Sequence, residues 1–204
     1  MEISRRGRID PFMVMKVMDD ARQLSEAGRD IVSMEAGQPG TGAPRAAIEA
    51  LSSAIQTGPL GYTVSLGLPA LRERIARRYA ERHGIDVSPD RIAITTGASG
   101  GFLLAFLALF DAGDRVGLAA PGYPAYRHIL SALDLRPVTI PTGPETRFQP
   151  TPALIANAGR LGPLKGLIVG HPANPTGTAL SRDELVDLIE ECQRIGATFI
   201  CDEI

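Results

Sequence analysis

The sequence predicts an α/β protein whose mostly parallel sheet carries helices on both faces. After residue 90, short apolar segments alternate with longer segments of helical periodicity, which is the pattern of strands joined by crossover helices. The short segments are apolar throughout instead of at every second position, as expected of parallel strands that are buried on both faces.

The residues before 90 predict three helices and one short strand. The first helix occupies 10–28, where Asp10 can cap it, Pro11 suits its first turn and Gly28 suits its end. Residues 31–36 predict a short strand that leads into a loop rich in glycine and proline. Two amphipathic helices follow, each opened by a proline and closed by a glycine, at 44–58 and 68–84.

The remaining residues predict strands and helices in regular alternation, without an internal repeat. The strands are predicted at 91–97, 114–121, 136–141, 166–172 and 198–203. The helices between them are predicted at 100–110, 125–135, 151–159 and 181–196. Such alternation predicts one sheet for this part of the chain.

The composition is that of an ordinary globular protein, with a formal net charge of −2. Without a basic excess, nucleic acids and anionic membrane surfaces are disfavoured as partners, and the arginines of 72–82 predict a solvated helix face. No apolar run approaches the ~20 residues that a membrane span needs, and no apolar segment near the N-terminus suggests a secretory signal. Cys192 and Cys201 are typical of reduced core residues, so the expected localisation is cytoplasmic.

Small and polar residues follow the predicted strands, at the end where such sheets bind ligands. The loop 95–101, with the sequence TTGASGG, joins a strand to a helix whose first N–H groups could bind a phosphate. An equally good interpretation is a tight turn in which Ser99 caps the helix. Neither the dinucleotide pattern G-x-G-x-x-G nor the lysine of a P-loop is present here.

Three side chains stand at the other strand ends. Tyr123, between a glycine and a proline, could stack on a planar ligand or pack on its own loop, and Asn174 precedes Pro175 in a restrained segment. Asp202 ends a buried strand, where a carboxylate needs a partner. A magnesium site of a nucleotide hydrolase is disfavoured because the phosphate loop is missing, so no metal is expected. A planar, phosphorylated heteroaromatic ring with a protonated nitrogen would use all of these groups.

The chain at this point resembles the class I/II aminotransferases, enzymes of pyridoxal 5′-phosphate (PLP) with the aspartate-aminotransferase fold. The segments that carry the resemblance run from about residue 30 to the C-terminus and read AGQPG, YTVSLGLPALRERIA, TTGASGG, PGYPAY, HPANPTG and CDEI. The pairing of NPTG with an Asp-Glu strand end 28 residues after Asn174 is specific to this family. The resemblance implies that 1–40 is the N-terminal segment of a small domain and that 41–204 is an incomplete PLP-binding large domain.

The resemblance also implies a role for each matching residue. Ala98 and Ser99 would bind the PLP phosphate, Tyr123 would stack on the pyridine ring, and Asn174 would donate to its phenolic oxygen. Asp202 would pair with the protonated pyridine nitrogen. The remaining two positions are Gly37, beside the substrate carboxylate, and Tyr62, which would reach the partner subunit's phosphate in a homodimer. Cis peptide bonds are expected before Pro121 and Pro175.

The lysine that forms the Schiff base in this family has no counterpart in the sequence, so no catalytic residue is assigned. Lys16 lies on the first helix, and Lys165 precedes the strand that leads to Asn174, at the wrong end of the sheet. The family's later site residues would also follow Ile204, which suggests truncation. We therefore expect the 204-residue chain alone to be inactive.

The expected function is amino-group transfer between an α-amino acid and a 2-oxo acid, with PLP as cofactor, in amino acid metabolism. Two alternatives remain open on the residues alone. One is a related PLP enzyme, such as a carbon–sulfur lyase or a decarboxylase. The other is a PLP-binding domain without catalytic activity.

Overall fold

The computed structural model describes residues 2–204 and divides into two compact units. The helical unit is Met13–Thr96, and the sheet unit combines Gly97–Ile204 with the residues up to Phe12. Neither unit tests the assignment of 1–40 to a small domain, which stays a prediction.

The helical unit contains three α-helices close to the predicted positions. They are α1 Met13–Glu26, α2 Arg45–Thr57 and α3 Pro69–His83. Gly84 ends α3 in the left-handed conformation, with φ 66°, and Gly28 follows α1 with φ 82°, as expected of glycines that terminate helices. The first helix begins later than predicted, because the preceding Phe12 packs its ring against Tyr123 and His128 of the sheet unit.

The sheet unit contains four parallel strands in the order β2-β1-β3-β4. Their bounds are β1 Arg115–Ala120, β2 Arg136–Pro141, β3 Gly166–Gly170 and β4 Thr198–Asp202. The helices are α4 Gly97–Leu109, α5 Pro124–Ala132, α6 Pro152–Gly159 and α7 Arg182–Ile195. The predicted parallel α/β architecture is confirmed.

The sheet buries apolar side chains on both faces. Alternate residues of β3 point to opposite sides, so Ile168 packs with α4 and α5 while Leu167 and Val169 pack with α6 and α7. All three side chains are at most 1% exposed. The continuous apolar run in β3 is therefore explained by burial on both faces.

Two predicted strands are absent from the structure. Residues 31–36 and 91–97 form no ladder with any strand in the described part of the chain. The second segment is instead held by single contacts, since Ile94 N–H donates to the Leu66 carbonyl at 3.0 Å and Arg72 Nε donates to the Ile92 carbonyl at 2.9 Å. An apolar segment alone does not make a strand when the described residues offer it no partner strand.

Arg72 also departs from the predicted solvated helix face. Its guanidinium is buried, donates to the Pro89 carbonyl and pairs with Asp90 Oδ1 at 2.9 Å. This arginine fixes the turn after α3 and does not form part of a basic surface. Among residues 2–204, no helix is long and apolar enough to cross a membrane.

We predict that Leu167→Ala lowers the free energy of unfolding by about 2–5 kcal/mol, because it leaves a cavity between β3 and the helices that cover it. Leu161, which is 88% exposed, is the matched control, and its change to alanine should cost less than about 0.5 kcal/mol. Urea unfolding of both variants in the complete protein measures the difference. Equal costs for the two variants would contradict the buried position of β3.

Candidate functional site

The loops after β1 and β3 and the end of β4 meet at one edge of the sheet. Because the strands are parallel, their carboxyl ends coincide, and Tyr123, Tyr126 and Asn174 line one cleft there. We expect the segments 96–99, 121–123 and 172–175 to share one edge with Asp202, and this is confirmed for 121–123, 172–175 and Asp202. Thr96 belongs to the helical unit, and residues 97–99 are the first turn of α4 and do not end a strand.

Cis peptide bonds occur at the strand ends. The bonds Ala120–Pro121 and Asn174–Pro175 are cis, which confirms both predictions. A third cis bond, His171–Pro172, was not predicted.

Asp202 is fixed by a tyrosine. The Tyr126 hydroxyl donates to Asp202 Oδ2 at 2.6 Å, and the Asp202 carbonyl accepts from His171 N–H at 2.8 Å. Burial and this hydrogen bond raise the pKa of the Tyr126 hydroxyl above its ordinary value, so the tyrosine keeps its proton at neutral pH. Among residues 2–204, the Tyr126 hydroxyl is the side-chain donor that orients this carboxylate.

Tyr123 is the N-cap residue of α5 and is held by aromatic contacts. Its ring centroid lies 5.4 Å from that of Tyr126 and 6.0 Å from that of Phe12, both in edge-to-face geometry. The backbone before it turns tightly at Gly122, where a Cβ atom would lie 2.4 Å from the Ala119 carbonyl oxygen. The ring is half-buried, as suits a platform for a planar ligand.

Asn174 stands on a closed turn. Ala173 N–H donates to the Thr178 carbonyl at 2.8 Å, and Gly177 N–H donates to the Ala173 carbonyl at 2.7 Å. Gly177 adopts φ 67°, which favours glycine. The turn presents the exposed Asn174 residue at the cleft.

Ala98 and Ser99 lie in the first turn of α4, and both are exposed. The helix supplies no acceptor for the N–H groups of Ala98 and Ser99, so these two groups can bind an anion. Ser99 is the third helical residue, which corrects the interpretation of it as an N-cap. One turn further along α4, the Phe102 ring lies 5.1 Å from the Tyr126 ring, so the helix is anchored beside the tyrosine that holds Asp202.

A known family matches most of the chain. The model of the family "Aminotransferase class I and II" matches residues 29–204. The chain belongs to this family.

Individual relatives agree with this assignment. The chain is 49% identical to the valine–pyruvate aminotransferase of Mycobacterium tuberculosis over 99% of its own length and 52% of that enzyme. It superimposes on the crystal structure of an aminotransferase from M. tuberculosis with a TM-score of 0.95 and 48% identity, covering 100% of this chain and 52% of that one. The aspartate aminotransferase from Thermus thermophilus with maleate gives a TM-score of 0.92 at 29% identity, over 100% and 53%. The chain thus spans about half the length of the relatives it matches.

The class I/II aminotransferases depend on PLP, and the donor set of this cleft fits that cofactor. A carboxylate suits a protonated ring nitrogen, an aromatic side chain suits a planar ring, and a helix N-terminus suits a phosphate. Groups of these three kinds are present in Asp202, in Tyr123 and in the first turn of α4 with Ser99. Their contacts with the cofactor stay predictions. No group of three or more metal-binding side chains is found among residues 2–204.

Neither lysine belongs to the segments that form this edge. Lys165 immediately precedes β3, at the amino end of the strand whose carboxyl end leads to Asn174. Lys16 belongs to the helical unit and pairs with Asp20 at 2.6 Å, a contact that raises the pKa of its amine. The predicted positions of both lysines are confirmed.

Gly37 and Tyr62 lie in the helical unit, and their roles stay predictions. Tyr62 is fully exposed, as a residue that reaches a partner subunit must be within one protomer. Gly37 has no atom within 4 Å of the place where a Cβ would stand.

Two residues of the cleft were missed by sequence reasoning. Tyr126 follows Tyr123 by three positions at the start of a helix, so helical spacing could have placed both rings on one side. Gln149 lies in a loop far from every motif, and nothing in the sequence signals that it lines the same cleft as Asn174.

We predict that Tyr126→Phe lowers the free energy of unfolding by about 1 kcal/mol at pH 7, because it removes the donor to Asp202. Since the pKa of Tyr126 is raised in the folded state, the unfolded chain loses this proton first, and wild-type stability falls as the pH rises above about 10. The difference between wild type and variant should therefore shrink between pH 9 and pH 11, as measured by urea unfolding of the complete protein.

The exposed Tyr79→Phe variant is the control for this measurement. A difference between wild type and Tyr126→Phe that stays constant with pH would contradict the raised pKa of Tyr126, which burial and the hydrogen bond to Asp202 produce.

Proposed function

We propose that the complete protein is an aminotransferase that moves an amino group between an α-amino acid and a 2-oxo acid. The supporting observation is the Asp202 carboxylate, oriented by Tyr126 at the cleft that Tyr123 and Asn174 also line. Bound PLP supplies an electron sink for the substrate's α-carbon, and its strength depends on the protonated ring nitrogen.

Five residues hold that cofactor in this proposal. Asp202 pairs with the ring nitrogen and keeps it protonated, while Tyr123 covers one face of the ring. Asn174 donates to the phenolic oxygen. Ala98 and Ser99 donate to the phosphate, so the ring is fixed at both ends and cannot shift relative to the substrate.

The first substrate pair to test is valine with pyruvate, since the relative with 49% identity carries those names. Gly37 borders the substrate carboxylate in this proposal. The enzyme is a cytoplasmic homodimer in which Tyr62 contacts the partner subunit's phosphate site.

We predict that the complete protein, loaded with PLP, transfers ¹⁵N from labelled valine to pyruvate and forms labelled alanine. Asp202→Asn should lower the rate at least about 10²-fold, because the ring nitrogen loses its charged partner. Mass spectrometry of the alanine formed measures both rates.

The matched control is Asp187→Asn, which changes an exposed carboxylate on α7 and should retain the wild-type rate. Absence of transfer with valine and with a panel of other amino acids would refute the proposed activity. A wild-type rate in Asp202→Asn would refute the role of the carboxylate.

A further inference from the structure

Gln149 is a buried polar residue that the proposed function does not use. Its side chain is 2% exposed, and Arg72 is the other buried polar or charged residue among residues 2–204. Burying an amide is costly unless it finds hydrogen-bond partners, so the partners of Gln149 indicate what this residue does.

Both partners of the Gln149 amide belong to Thr178. Gln149 Nε2 donates to the Thr178 carbonyl at 2.8 Å and lies 3.1 Å from Thr178 Oγ1. The same carbonyl accepts from Ala173 N–H at 2.8 Å and so closes the turn that carries Asn174. Thr178 Oγ1 also lies 3.0 Å from Thr176 Oγ1, inside that turn. Gln149 is therefore hydrogen-bonded to Thr178, the residue that closes the Asn174 turn.

The loop that supplies Gln149 has a fixed conformation. Arg147 and Phe148 adopt left-handed backbone angles, with φ 53° and 58°, which are unfavourable for residues other than glycine. Backbone hydrogen bonds hold them there, from Phe148 N–H to the Gly143 carbonyl at 2.8 Å and from Gln149 N–H to the Thr146 carbonyl at 3.0 Å. Arg147 also donates to both carboxylate oxygens of Glu184, at the start of α7.

We call the hydrogen bonds between Gln149 and Thr178 the clamp. The clamp joins two loops whose strands are not neighbours in the sheet. The loop of Gln149 follows β2 and the turn of Asn174 follows β3, and β1 lies between these strands. Gln149 and Asn174 both line the cleft, so the clamp acts at the edge where the cofactor groups meet. Without it, the Asn174 turn would keep only its internal hydrogen bonds.

We propose that Gln149 is a positioning residue: it fixes the turn that carries Asn174, so that the Asn174 amide can donate to the cofactor's phenolic oxygen. This inference rests on the proposed function, since it needs Asn174 to contact PLP. Gln149 touches no reacting atom and acts through Thr178 and the turn. Its loss should therefore weaken the same contact that loss of Asn174 removes.

The test titrates apoprotein, prepared from the complete protein, with PLP and records the dissociation constant and the cofactor's absorption as a function of pH. Asn174→Ala should raise the dissociation constant at least about tenfold, because it removes a hydrogen bond to a charged oxygen. Gln149→Leu should raise it about three- to fivefold, as a partial loss of that contact. Both changes should move the pH of the absorption change upward, since the lost donor favours the ionised oxygen.

Double variants separate positioning from general loosening of the cleft. Gln149→Leu should change the dissociation constant less than about twofold when Asn174 is already alanine, since coupled residues are not additive. In combination with Asp202→Asn, it should keep its full effect. An undiminished effect of Gln149→Leu in the Asn174→Ala protein would overturn the inference.

Two substitutions at Thr178 provide a second route if Gln149→Leu fails to fold. Thr178→Val removes the hydroxyl contact and should raise the dissociation constant about twofold, whereas Thr178→Ser keeps the hydroxyl and should match wild type. Equal dissociation constants for the two would count against the clamp. The exposed Gln193→Leu is the matched glutamine control and should also match wild type.

The experiment gives different results when the proposed function is wrong and when only the positioning role is wrong. If Asn174→Ala itself leaves PLP binding and the absorption unchanged, the proposed cofactor contact is wrong. If Asn174→Ala has its effect and neither Gln149→Leu nor Thr178→Val has one, only the positioning role is wrong.

Discussion

The parallel pairing of β3 with β1 and β4 is the constraint on which the rest of the site depends. Parallel strands end at the same edge, so the residues that follow them must meet there. The pairing is stabilised by the apolar run Leu167–Ile168–Val169, which is buried on both faces of the sheet. Burial of three consecutive side chains thus decides where the polar residues of three distant segments gather.

At that edge a neutral donor, the Tyr126 hydroxyl, orients the Asp202 carboxylate. In the proposed function this arrangement presents the carboxylate to a cationic ligand atom. The aromatic contacts that hold Tyr126 also reach α4 through Phe102 and the platform of Tyr123. Asp202, the Tyr123 ring and α4 are consequently coupled through the side chain of Tyr126.

The sequence predicted the elements whose formation depends on local pattern. Apolar runs predicted β1 to β4, and glycines predicted the ends of α1 and α3, because burial and backbone conformation leave a direct mark on residue choice. The strand predicted at 91–97 does not form, since a strand also needs a partner strand, which a local pattern does not reveal.

The same distinction between local pattern and distant partner applies to the residues of the candidate site. Tyr123, Asn174 and Asp202 stand directly at strand ends or in restrained loops, where their positions in the sequence are informative. Gln149 could not be predicted, because its role comes from a contact with Thr178 across 29 residues and from left-handed angles at Arg147 and Phe148, neither of which is glycine.

The most direct test of the site is the protonation state of the cofactor's ring nitrogen in the complete protein. PLP labelled with ¹⁵N at that position can be bound and its chemical shift measured by NMR, in wild type and in Asp202→Asn. We expect a protonated nitrogen at neutral pH in the wild type and loss of that proton in the variant. An unprotonated nitrogen in the wild type, or an identical shift in both proteins, would contradict the pairing of Asp202 with the cofactor.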